Sequence, residues 1–239
     1  MSTIAIHQPN YYPWLGYFYK LYLADRMILL DDVAYSKGSY TARTLIRKLP
    51  GQACASYLSV PIKQSPLGTP VNKIGIDTSR DWTALHLARL HQVYRQSPYF
   101  NEFFPLIEWQ LEMVAGYEYL ADANIYLIRE IADLLSCEAE LMRSSSLPFF
   151  GKGTDYLIDL IQDQGGAVYV SGSGADKYQD KAAFKKAEIE LRYTHTYRDL
   201  ELYRYPQYQG SWLNGLSIID ALMNIGVAGI RRLFESFER

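Results

Sequence analysis

Apolar positions along the chain follow two rhythms, and these divide it into elements. Ile4, Ala5 and Ile6 form a short apolar run that ends at His7, because Pro9 has no N–H to give to a ladder. Across residues 14–24 the apolar residues Leu15, Phe18, Tyr19, Tyr22 and Leu23 recur at helical spacing. Residues 26–30 are a second apolar run, closed by Asp31-Asp32. Strand, helix and strand within about thirty residues predict a βαβ unit in a parallel sheet. Residues 41–48 read as a short basic helix stopped by Pro50-Gly51. Residues 56–62 and 72–77 read as strands joined by a hairpin, which would make the middle of the sheet antiparallel.

Further along, Trp82, Leu85, Leu87, Leu90, Val93 and Tyr94 predict a helix ending near Ser97-Pro98. A longer helical region over 101–136 is broken around Gly116 and Tyr117. Together they form a helical insert, a subdomain or lid over about 82–136. A strand is expected at 140–142 and a polar loop at 144–153. Thr154 is placed to cap a helix over 155–164, which Gly165-Gly166 would end. The apolar run 167–170, the loop Ser171-Gly172-Ser173-Gly174, a helix over 175–187 and a strand at 189–194 make a second βαβ run. Ser217 opens the last helix, with Asp220 as a capping-box variant and Gly226 as its stop. The expected fold is one α/β domain spanning 1–239. Its mostly parallel central sheet is flanked by helices in Rossmann-like layers, with the helical insert added.

Composition narrows the class. Of 239 residues, 49% are hydrophobic and 21% charged, the balance of a globular protein with a sizeable core. A net charge of −2 without like-charge runs excludes the electrostatic footprint of a duplex nucleic-acid binder. No apolar stretch reaches the roughly 18 residues of a membrane span. His7, Gln8, Pro9 and Asn10 interrupt the only apolar start, so no signal peptide is expected and the location reads as cytoplasmic. The two cysteines, Cys54 and Cys137, lack metal or redox spacing. Twenty-one tyrosines against nine phenylalanines mean that many rings carry a hydroxyl in need of a partner. That suits a core with a tyrosine rim, or a pocket for a ring-bearing polar ligand such as a sugar or nucleotide.

The candidate chemistry gathers at strand ends, where parallel sheets bind ligands. His7 is read as an acid/base, since imidazole titrates near neutrality. Asp31 would orient it or hold a substrate amine or hydroxyl, with Asp32 beside it. Gln8, Tyr11, Trp14 and Tyr35 would contact the substrate. Lys37, Arg43 and Lys63 would hold a phosphate or carboxylate. Ser171, Gly172 and Ser173, opening a helix that carries Lys177 and Tyr178, have the shape of a phosphate cradle. No metal-ligand spacing and no paired Ser or Cys nucleophile is found. The sequence names no cofactor and no oligomeric state.

His7-Gln8-Pro9-Asn10-Tyr11 followed by Pro13-Trp14-Leu15-Gly16-Tyr17-Phe18 resembles the opening of WbqC-like proteins. The resemblance continues through Leu30-Asp31-Asp32-Val33, Tyr35, Lys37 and Arg43, then Trp82 with His86 and Tyr99-Phe100. It closes with Ser171-Gly172, Asp176-Lys177-Tyr178, Tyr205-Pro206-Gln207 and the run from Leu216 through Asp220 to Asn224 and Gly226. Two positions depart from it: Ala42, where a polar Asn is expected, and Ser173, where Pro is common. Membership implies a bacterial protein of surface-polysaccharide (O-antigen) or related biosynthesis, and some members carry a glycine-transferase label. The expected activity is transfer of an aminoacyl or acyl group from a carrier donor to a sugar or nucleotide-sugar substrate. The alternatives are a non-catalytic binder of nucleotide sugars or small molecules, and a metal-dependent nucleotidyl-transfer or hydrolytic enzyme using Asp31 and Asp32.

Overall fold

The computed structural model describes residues 2–172, 179–194, 203–208 and 210–237. Its central sheet has five strands: β1 (Ser2–His7), β2 (Arg26–Leu29), β5 (Glu140–Arg143), β6 (Gly166–Gly172) and β7 (Glu190–Thr194). They lie in the order β5-β2-β1-β6-β7, and every pairing is parallel. Taken by place in the chain, that is third, second, first, fourth, fifth. The order reverses between β1 and β6.

The faces of the sheet follow from the alternation of its side chains. On one face Ile4, Ile6 and Ile28 pack with Tyr156, Leu160 and Ile161 of α5 (Gly153–Asp163) and Phe184 of α6 (Lys181–Lys186). On the other, Ala5, Met27 and Leu29 meet α1 (Leu15–Tyr22) and α7 (Ile218–Phe237). Residues Leu15 through Leu21 of α1 are all buried. Each fully buried Phe or Leu among them contributes about 1.5–3 kcal/mol.

The insert consists of α2 (Trp82–Tyr94), α3 (Phe100–Val114) and α4 (Leu120–Leu134). Its buried residues, Leu90, Phe103, Ile107 and Ile128 among them, belong to the same hydrophobic cluster as α1 and α7. The break expected at Gly116 and Tyr117 falls between α3 and α4, and α2 stops at Tyr94, three residues before Ser97.

Several local expectations are corrected. The stretch 41–48 is not a helix: it contains β3 (Arg43–Arg47), paired antiparallel with β4 (Ala55–Ser59) in a separate two-stranded sheet. Pro50-Gly51 is its turn, with Gly51 at φ 77°. The hairpin expected between 56–62 and 72–77 reduces to one antiparallel bridge, Ile62↔Ile76, and Val71–Lys73 is a 3-10 turn. Thr154 does not cap α5; its Oγ1 accepts from Asp180 N instead. Asp220 forms no capping box, since Ser217 N–H donates to Leu45 O. Gly226 does stop the helix that Ser217 opens: its φ of 62° and ψ of 179° are non-helical, and α7 is two helical segments meeting there. Of the helix expected over 175–187, Lys181–Lys186 is helical, and 173–178 lie outside the described residues.

Candidate functional site

The strand order reverses between β1 and β6, and in open parallel sheets the crevice at the carboxyl ends of such strands is where ligands bind. Pairing of β1 with β6 runs as far as Ala5↔Val170. Continued, that register sets His7 beside Gly172. A Cβ added to Gly172 would meet no described atom within 4 Å.

His7 is held from two sides. Its Nδ1 lies 3.0 Å from Gln8 O, and its ring meets Tyr17 edge-on at a centroid distance of 4.8 Å. The Tyr17 hydroxyl donates to the same Gln8 carbonyl at 3.3 Å. A carbonyl only accepts, so Nδ1 carries the proton and Nε2 is the free lone pair of the neutral ring. Nε2 has no hydrogen bond to a described residue. Burial, the nearby Lys20 charge and the Gln8 bond together bring the pKa down to about 3, the last acting in the opposite direction. The ring is neutral at physiological pH.

Lys20 was not singled out from the sequence. It is 3% exposed, and its Nζ donates to Ile6 O at 2.8 Å. Burial lowers its pKa to about 7. The signal was present in the pattern: α1 is apolar all round, so its one charged side chain has no solvent face to turn to.

Asp31 and Asp32, at the end of β2, are committed to a clamp. Asp31 is fully buried. Its Oδ2 accepts from Arg143 Nε and Nη2, both at 2.7 Å, and from Ser145 Oγ at 2.9 Å, while Oδ1 accepts from Ser145 N at 3.0 Å. Asp32 accepts from Ser144 Oγ and Tyr156 OH. Arg143 also reaches Asp122 of α4 at 2.6 Å. The expected pairing of Asp31 with His7 is therefore absent among the described residues; Asp31 joins β2, β5 and α4 instead. Among those residues no group of three or more His, Cys, Asp or Glu could hold a metal ion.

The other expected contacts divide. Gln8 Oε1 accepts from Thr41 Oγ1 at 3.2 Å, which draws the loop before β3 to the end of β1. Asn124 of α4 secures both segments, its Nδ2 donating to Pro9 O at 2.8 Å and Thr41 O at 2.7 Å. Arg43 stacks over Tyr57, 3.8 Å from the ring centroid, close to Gly38 and Tyr35. Its Nε is buried without an acceptor among the described residues. Ser171 is buried, and its Oγ accepts from Gln179 Nε2 at 3.0 Å.

Tyr11 is a core residue, and Trp14 lines a separate small cavity with Leu15, Tyr203, Tyr205 and Trp212. Tyr11 is 1% exposed, and its hydroxyl donates to His86 Nδ1 at 2.8 Å. His86 Nε2 in turn donates to Ser59 O at 3.0 Å, and burial lowers this imidazole to about 4. Trp14 packs against Tyr203 at 5.1 Å and against α1, where a Cβ on Gly16 would lie 2.3 Å from its ring. Lys37 and Lys63 are exposed, and the Lys63 side chain borders Gly75. Ser173, Lys177 and Tyr178 lie outside the described residues.

The fold and crevice define the class: a doubly wound α/β protein with a histidine at its strand-order reversal. The chain belongs to the WbqC-like protein family, matching it over residues 8–232. It is also similar to the uncharacterized protein Rv1507c of Mycobacterium tuberculosis (strain ATCC 25618 / H37Rv). Identity is 28% over 230 residues, covering 95% of each chain. No solved structure matches it. No described helix is long and apolar enough to cross a membrane.

Proposed function

We propose that the crevice between β1 and β6 is the active site of an aminoacyl or acyl transferase, with a sugar or nucleotide sugar as acceptor. The observation carrying this reading is His7: a neutral imidazole of fixed tautomer, with Nε2 unpartnered among the described residues at the strand-order reversal. In this reading Nε2 takes the proton from the acceptor's hydroxyl or amine as that atom attacks the donor's carbonyl carbon. The tetrahedral intermediate then collapses, the bond to the donor's leaving oxygen or sulfur breaks, and His7 returns the proton to it. Gln8 O fixes the ring, and Arg43 grips a carboxylate or phosphate of the substrate. Asp31 and Asp32 act as positioning residues through the β2–β5 clamp.

A pKa of about 3 keeps His7 in its base form but makes it a weak base. An anionic substrate beside Lys20 would offset the lysine charge and raise the basicity of His7. Recombinant protein incubated with nucleotide sugars and aminoacyl or acyl carrier donors, with mass spectrometry of the sugar, tests the reading. The expected result is an acylated sugar whose formation falls about 10²-fold or more in His7→Ala, with ligand-induced thermal shifts retained. Equal turnover by wild type and His7→Ala would refute it.

A further inference from the structure

Adjacent carbonyls of a strand point in opposite directions. His7 O accepts from Leu30 N on the β2 side at 2.8 Å, so Ile6 O points toward β6. There β6 no longer pairs, since the register ends at Ala5↔Val170. The amine of Lys20 fills the gap and bonds Ile6 O at 2.8 Å. A nearly fully buried amine thus sits where the two central strands part, with one hydrogen bond among the described residues and no described carboxylate paired with it. A charge buried without a partner is costly, so this amine takes up its proton most readily when a counter-charge arrives beside it.

We infer that the split between β1 and β6 binds the anionic group of the ligand, a phosphate or carboxylate, with the Lys20 ammonium as its counter-charge. The inference rests on the reading of this crevice as the ligand site. The neighbouring ionisable groups leave Lys20 that role. On β1, His7 is neutral. On β6, Tyr169 lies on the opposite face with Ile4, Ile6 and Phe184. On α7, Asp220 is engaged by Tyr94, Tyr205 and Asn224, and Arg231, Arg232 and Glu235 are exposed. On α1 itself the other ionisable groups are Tyr17, Tyr19 and Tyr22. With its amine near pKa 7, Lys20 is mostly neutral in the free protein above that pH. A bound anion stabilises the protonated form, so binding draws in a proton.

Calorimetry near pH 8 in two buffers of different ionisation heat tests this, with inorganic pyrophosphate and acetate as separate probes. The expected result is an uptake approaching about one proton per anion bound. Pyrophosphate alone giving it assigns a phosphate, acetate alone a carboxylate. In Lys20→Met the uptake disappears and affinity falls about tenfold or more, while Lys20→Arg keeps the affinity without the uptake. Binding of neither probe, or binding without uptake by wild type, overturns the inference and needs no variant to fold. His7→Ala separates it from the catalytic reading. Uptake retained while His7→Ala turns over at the wild-type rate refutes the catalytic role alone. Turnover lost in His7→Ala with no uptake in wild type refutes the anion site alone.

Discussion

Tyr11 and His86 show how a motif that looks functional serves the core. Tyr11 OH donates to His86 Nδ1, and His86 Nε2–H donates to Ser59 O, so the pair satisfies two buried side chains across three elements. The sequence made His86 legible as a packing residue, because Leu85 and Leu87 flank it on a periodic helix. It gave no sign that Tyr11 would turn away from His7, since the partner lies 75 residues on. The pair carries a pH dependence. His86 falls to about 4 in the fold, below its usual 6.5, so the unfolded chain binds more protons between those values. Stability is then fully present above the unfolded pKa and is lost as pH falls through the folded one. The size is about 3 kcal/mol. His86→Gln can keep both hydrogen bonds without titrating, and in urea melts it should lose correspondingly less stability than wild type between roughly pH 7 and pH 4. Equal losses would show that His86 does not carry the effect.

At the scale of elements, α1 was legible and β3 was not. The helical spacing of Leu15, Phe18 and Tyr22 is a local signal, and the structure follows it. Residues 41–48 carry no such stripe, and their basic residues before Pro50-Gly51 suggested a short basic helix. Arg47 is instead fully buried, donating to Gln52 O, Gln207 Oε1 and Ser211 O, two of these partners more than 150 residues away. No local pattern announces partners so distant. The join between α1 and the loop before it gives a test. A Gly16→Ala change would add about 1 kcal/mol of helix propensity. The new Cβ would lie 2.3 Å from the Trp14 ring, which Tyr203 holds in place. Overpacking of that kind costs about 1–3 kcal/mol, so the net effect should be destabilising. A raised melting temperature would show that Trp14 swings aside freely.

For the whole molecule, the parallel sheet and its two flanking layers were readable from strand-helix-strand succession. The strand order was not, because it depends on which distant strands pair. The same limit hid the clamp on Asp31, whose partners Arg143, Ser144 and Ser145 lie more than 110 residues away. Through Arg143 the clamp also joins the sheet to Asp122 of the helical insert. Asp31→Asn removes the buried carboxylate from under Arg143, and should cost about 3 kcal/mol. That corresponds to a melting temperature lower by roughly 6–12 °C. A variant with wild-type stability but no turnover would instead give Asp31 a direct part in the chemistry.

The central claim is the proposal that His7 presents its Nε2, unpartnered among the described residues, to the ligand at the reversal of strand order. The most direct measurement is NMR of the imidazole rings in isotope-labelled protein, titrated with nucleotide sugars and acyl donors. The account predicts a neutral His7 protonated at Nδ1 in the free protein, with ring resonances that shift on ligand binding while those of His86 stay in place. A ligand that binds and leaves His7 unmoved, or a His7 ring protonated at Nε2, would contradict it.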